Sequence, residues 1–310
     1  MRAAVLVLLL VTPGCARSAS ASSRDAGVSA APPPAPGLVC TRDDSFPSVL
    51  DVAEASAAAE VELQPGVREL LVVSDSGRNG AALAYRLPSG PARSLLLPLD
   101  PSASDDVEGI AWVTAGPRGG GGALYALTSS GAMRRFVPDG RGGLRRDQDA
   151  YPIGPPPRAC TNLRDVNCGR NYEGLCLRPR SVSARCAGYA AGRKASELDC
   201  LVFQGDRLVA DPLWEPIRLP RGLVPANALS DCAFGAAEGP ARATLLVTTN
   251  VFGGGATYVA REPGGALVPL ELPGTLNNEA VAVDRTGALL LLGDLDADAS
   301  PSLRATCTGW

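Results

Sequence analysis

Asp106-Val107-Glu108-Gly109-Ile110-Ala111-Trp112 is followed, after a glycine-rich break, by Ala123-Leu124-Tyr125-Ala126-Leu127. The first stretch sets an acidic and a small residue ahead of alternating apolar side chains. The second is a short apolar run ending in Ser129-Ser130-Gly131. Alternation with period two, and short apolar runs bounded by Gly and Ser, read as strands rather than helices. The pair of stretches recurs. Asn171-Tyr172-Glu173-Gly174-Leu175-Cys176-Leu177 precedes Cys200-Leu201-Val202-Phe203, and Ser230-Asp231-Cys232-Ala233-Phe234 precedes Thr244-Leu245-Leu246-Val247-Thr248. Asn278-Glu279-Ala280-Val281-Ala282-Val283 precedes Ala288-Leu289-Leu290-Leu291-Leu292, and a fainter copy, Ala53-Glu54-Ala55-Ser56-Ala57, precedes Glu69-Leu70-Leu71-Val72-Val73.

An acidic residue therefore recurs at 54, 108, 173, 231 and 279. An imperfect repeat of about fifty residues, each copy carrying several short strands, is the signature of a β-propeller. The sequence predicts an all-β fold of five blades over residues 40–310, with a cysteine-rich loop insertion at about 155–199. A six-bladed ring, with a degenerate blade near 140–170 or 210–225, is the alternative. In each copy the acidic motif is the innermost strand and the leucine-rich run its neighbour. Phe46 to Val52 are expected to give the last blade its outer strand, joining the two ends of the chain. Pairing Cys40 with Cys307 would fasten that junction, and Cys160 with Cys168 would close a small loop.

The chain opens with Arg2 and an apolar run, Ala3 to Val11, too short to span a bilayer but fitting a signal-peptide core. Residues 1–14 are read as a signal peptide. Thr12-Pro13-Gly14-Cys15 resembles a bacterial lipobox, with Cys15 as the lipidated residue; an ordinary cleavage near Ala19 or Ala21 competes with it. Ala16 points, by analogy with Gram-negative lipoproteins, to the outer membrane. Residues 15–39, rich in Ala, Ser, Pro and Gly, bury too little to order themselves and read as a flexible tether. Without Cys15, the nine cysteines become eight, an even number suited to disulfides in an oxidising compartment such as the periplasm. The lack of histidine and of a C-x-x-C pair argues against a zinc site. A net charge of −3 gives no general attraction to nucleic acid.

The D/N-x-E-G-[IL]-A pattern resembles the "esterase-like activity of phytase" family and the related SdiA-regulated extracytoplasmic propellers. The residues that carry it are Asp106, Glu108 and Gly109, then Asn171, Glu173 and Gly174, then Asn278 and Glu279. The resemblance implies a propeller in the cell envelope and permits a phosphoesterase. It does not extend to the lysine-bearing site of propeller phytases, since Lys194 is the single lysine.

On a propeller, the first residues of the innermost strands meet at one mouth of the channel. Glu54, Glu108, Glu173, Asp231 and Glu279 are therefore expected to converge as metal ligands. Carboxylates brought together raise one another's pKa, and calcium, which takes six to eight oxygens, relieves the repulsion. In the competing reading each carboxylate caps backbone N–H groups of a neighbouring blade. Asp75, Arg78, Asn250 and Asp294, at strand exits, are the expected ligand-binding residues. Asp294-Leu295-Asp296-Ala297-Asp298 fails as a calcium loop, because Ala299 and Ala305 stand where glycine and glutamate are required. Lack of histidine excludes a Ser-His-Asp triad, and G-x-S-x-G and P-loop motifs are absent. Two functions survive: a non-enzymatic propeller binding a small ligand or protein partner at its mouth, and a calcium-dependent phosphoesterase.

Overall fold

The computed structural model describes residues 38–309, apart from 76, 115–120, 156–157, 179–184, 221, 223, 236–242, 252–253, 263–264, 273–276 and 294–297. The signal peptide, Cys15, most of the tether and Asp294 lie outside the described residues.

Two short strands, β1 (Val39–Arg42) and β2 (Val49–Leu50), lead into five antiparallel sheets. The first blade is β3 (Ala55–Gln64), β4 (Val67–Ser74), β5 (Ala81–Arg86) and β6 (Ala92–Leu96). The second is β7 (Val107–Val113), β8 (Ala123–Thr128), β9 (Ala132–Pro138) and β10 (Leu144–Pro152). The third is β11 (Tyr172–Leu177), β12 (Gly188–Gly192), β13 (Glu197–Gln204) and β14 (Arg207–Ala210), with β15 (Ile217–Arg218) also on β13. The fourth is β16 (Leu229–Phe234), β17 (Ala243–Val251), β18 (Gly254–Glu262) and β19 (Val268–Leu270). The fifth is β20 (Asn278–Val283), β21 (Ala288–Gly293) and β22 (Ser300–Thr308), completed by β1. The first strands touch in cyclic order, β3 to β7 to β11 to β16 to β20 and back to β3, so the ring has five blades.

The leucine-rich second strands are buried on both faces because each blade is packed between two others. On β4, Leu71 and Val73 join Ile110, Leu124 and Ala126 of the second blade. Leu70 and Val72, pointing the other way, join Ala280, Leu290 and Leu292 of the fifth. Every residue from Leu70 to Val73 and from Leu289 to Leu292 is buried. Period-two alternation thus feeds two cores rather than one core and solvent, which is why these runs are apolar throughout. The remaining interblade cores lie between blades two and three, three and four, and four and five.

The ring closes where the two ends of the chain meet. The outer strand of the fifth blade is β1, with Cys40 opposite Cys307 and the two joined by a disulfide. Of the expected segment 46–52, Val49 and Leu50 pair with the start of β22, and Phe46, Leu50 and Val52 fill the core beneath. The main closing strand is therefore earlier than expected. Within the span 155–199, residues 155–171 connect blades two and three and contain the Cys160–Cys168 loop. The described residues from Tyr172 onward belong to the third blade, whose second strand is Gly188–Gly192 and not Cys200–Phe203, which lies in the third strand. Two further disulfides hold this region: Cys186–Cys200 inside blade three, and Cys176–Cys232 between the innermost strands of blades three and four. Four disulfides fit an oxidising, exported environment.

Candidate functional site at the channel mouth

Each innermost strand carries a β-bulge at the same place. Pairing with the second strand skips one residue: Ser56, Glu108, Glu173, Ser230 and Glu279 in blades one to five. A bulge re-aims the extra side chain and sharpens the local twist. Here it sets one residue per blade at one level of the channel. Counting from the bulge corrects the register read from the acidic residues alone. Glu54 lies two residues before its bulge, level with Asp106, Asn171, Ala228 and Asn277. Asp231 lies one residue after, level with Ala57, Gly109, Gly174 and Ala280.

In the first four blades the level before the bulge is tied to the exit of the second strand. The amides of Asp75, Ser129, Arg193 and Asn250 donate to the carbonyls of Glu54, Asp106, Asn171 and Ala228 at 2.9, 3.3, 2.8 and 2.7 Å. Asp75 and Asn250, expected at strand exits, occupy equivalent positions, and Ser129 and Arg193 are the counterparts that sequence reasoning missed. Glu54 and Arg78 meet each other: Arg78 donates through Nε and Nη2 to Glu54 Oε2 at 3.1 and 2.9 Å. Glu54 has the left-handed backbone, φ 46°, as does Asn171, φ 52°.

The expected ligands divide into two kinds. Asp231 is structural in its contacts. Its Oδ1 accepts the Cys232 amide at 2.7 Å and its Oδ2 the Val281 amide at 2.8 Å, and the Leu175 amide is a third donor. One carboxylate thus ties the innermost strands of blades three, four and five. Burial pushes its carboxyl up, opposed by three N–H donors that favour the charge. The approach is close because the residue before the donor Leu175, on the neighbouring blade, is glycine. A Cβ on Gly174 would lie 2.3 Å from Asp231 Oδ1, and one on Gly109 would lie 2.5 Å from the Leu175 nitrogen. This gives the Glu-Gly pairs at 108–109 and 173–174 a physical reason: the glutamate faces the channel and the glycine admits the next blade.

Glu108, Glu173 and Glu279 are the second kind. Asp75, Asp106 and Glu108 bring carboxylate oxygens within 4.8 Å of one another. Glu108 is buried, and burial together with the charges of Glu173, Asp75, Asp106 and Glu279 holds its carboxyl well above the usual range. Glu173 is pushed up to about 7 by burial, against the pull of Arg193, which donates to its Oε2 at 2.7 Å. Asn171 donates Nδ2 to Glu173 Oε1, and its own Oδ1 is buried with no hydrogen-bond donor. Asp106 accepts the Ser129 hydroxyl. Asp106 belongs to the repeated motif but stands outside the expected ligand set; its place two residues before Glu108 is the signal for it. All side-chain donor atoms in this group are oxygens, which fits a hard cation.

No family model matches the chain, and no curated protein matches it. Solved structures similar to it are propellers at low identity. Virginiamycin B lyase from Staphylococcus aureus is 10% identical with a TM-score of 0.40, over 86% of this chain and 99% of that one. A gluconolactonase from Xanthomonas campestris is 18% identical with a TM-score of 0.40, over 81% of this chain and 76% of that one. None of these similarities transfers a residue or a reaction to this chain.

Two outcomes are expected. Asp231→Asn turns one acceptor into a donor facing backbone N–H groups, and should lower unfolding free energy in urea by about 1–3 kcal/mol. The second concerns pH in calcium-free buffer. The folded protein keeps protons on Glu108 and Glu173 that an unfolded chain releases above its ordinary value of 4.5. Stability is therefore full below that value and is lost as pH rises through about 7, the folded value of Glu173. Melting temperature measured from pH 4.5 to 8 should fall, and Glu173→Gln should flatten the fall.

Proposed function

We propose that this chain is an exported, lipid-anchored β-propeller that holds calcium at the acidic mouth of its channel and there binds a small ligand or protein partner. The observation that carries the reading is the convergence of Asp75, Asp106 and Glu108, from the first two blades, with their oxygens within 4.8 Å. Glu173 and the Asn171 Oδ1, from the third, would complete an oxygen-only set. Calcium accepts such irregular sets of carboxylates and amide oxygens. It would also relieve the carboxylate repulsion that, together with the larger effect of burial, raises the Glu108 carboxyl.

Calcium bound there would supply a fixed positive charge that can take an oxygen ligand from a partner. The protein's own residues do the positioning: Ser129 orients Asp106, and Asn171 and Arg193 orient Glu173. Two arginines at this mouth, Arg78 and Arg193, are ion-paired to Glu54 and Glu173. That arrangement supports holding a cation more than clamping a phosphoester, so binding is preferred over the phosphoesterase alternative. Export and lipid attachment rest on the apolar leader and Cys15, and the disulfides are consistent with export.

Calorimetric titration of the chelator-treated protein should show one calcium per chain. Asp106→Asn with Glu108→Gln should weaken binding at least tenfold without lowering the calcium-free melting temperature. Equal affinity in the double variant would refute the site. In bacterial expression, radiolabelled palmitate should enter the protein and be lost in Cys15→Ser; label retained in that variant, or no label in either, would remove the anchor from the account.

A further inference from the structure

Beyond the bulges, at the end of the channel opposite the acidic mouth, the same five innermost strands open into a cavity of about 740 Å³. Its wall begins two residues after each bulge, with Ala58, Ile110, Leu175, Cys232 and Val281. Trp112, Leu177 and Phe234 stand further out. Its floor is the ring of contacts made by Asp231, whose donors Leu175, Cys232 and Val281 are also lining residues. Cys176–Cys232 pins two of the lining strands together. The floor is thus rigid and the wall apolar.

The charges around this cavity are engaged within the protein. Glu60 is bound by Arg68 and Arg285, at 2.7 and 3.1 Å, and Asp284 by Arg304 at 2.8 Å. Arg178 donates to the Cys186 carbonyl and the Tyr189 hydroxyl, and its guanidinium lies over the Phe234 ring at 4.8 Å. Besides the Thr114 hydroxyl and the Trp112 indole Nε1, which has no hydrogen-bond partner in the protein, the polar groups left to the cavity are those of the backbone. Each of β3, β7, β11, β16 and β20 has a hydrogen-bonded sheet neighbour on one side, so its other edge turns N–H and C=O groups toward the channel. A concave site of this size, mostly apolar with a few convergent polar groups, has the form of a small-molecule pocket and is too small for a folded partner.

We propose that this cavity binds an uncharged, flat, largely apolar small molecule, packed against Trp112 and Phe234 and hydrogen-bonded at its edge by strand backbone. The site is independent of the cation proposed at the other mouth.

The test is titration of the full chain with N-phenyl-1-naphthylamine, a neutral aromatic amine, in the presence of chelator. The expected result is a saturable rise in probe fluorescence at one probe per chain. Energy transfer from tryptophan should drop in Trp112→Phe. Leu177→Arg, at the rim, should weaken binding at least tenfold, while Trp214→Ala, in a separate cavity of about 570 Å³, should leave it unchanged. No saturable binding, or wild-type affinity in a folded Leu177→Arg, would overturn the proposal. Should Leu177→Arg not fold, undiminished energy transfer in Trp112→Phe would do so. Because chelator is present throughout, loss of calcium binding at the acidic mouth does not affect this result.

Discussion

Five first strands can form a closed ring only if their backbones come very near one another, and Asp231 is where that nearness is most sharply resolved. Its carboxylate takes amide hydrogens from three blades. Gly174, against which it sits, has no room for a methyl group, and Gly109 repeats the condition one blade earlier. The interblade cores, the bulges and both ends of the channel are arranged about this contact. A buried carboxylate is tolerated because each of its bonds replaces one it would make to water, and a partly satisfied one would be costly.

The same constraint divides the channel. On one side of the Asp231 level, the bulged side chains Glu108, Glu173 and Glu279 and the neighbouring Asp75 and Asp106 gather negative charge. On the other, small and apolar residues widen into a cavity whose surrounding charges are paired with one another. A pattern of acidic, small, then alternating apolar residues therefore encodes a strand with a charged start, a tight waist and a greasy end.

The blades were legible because a strand buried on both faces must be apolar throughout, and Leu70–Val73 and Leu289–Leu292 are. Cys40 with Cys307 and Cys160 with Cys168 could be anticipated from ring closure and short spacing. What could not be read was the bulge. It adds one residue to a strand without a residue type of its own: Ser56 and Ser230 occupy it as well as glutamates do. Aligning by acidity therefore shifts Glu54 two positions and Asp231 one, and joins a carboxylate bound to backbone amides to the channel-facing set. The strand Gly188–Gly192 escaped notice for a related reason. A Cβ on Gly188 would meet the Cys176 carbonyl at 2.0 Å, so tight packing replaced the β-branched residues that announce a strand elsewhere. Ser129 follows its apolar run as Asp75 and Asn250 follow theirs, whereas Arg193, after a glycine- and alanine-rich strand, has no local signal and gains its place from the ring alone.

The most direct measurement is an anomalous difference map from crystals of the protein grown with terbium, a luminescent and strongly scattering substitute for calcium. A peak coordinated by Asp75, Asp106 and Glu108 is the predicted result. A well-ordered mouth with no peak, or a peak bound elsewhere while these carboxylates bond only to protein, would contradict the account.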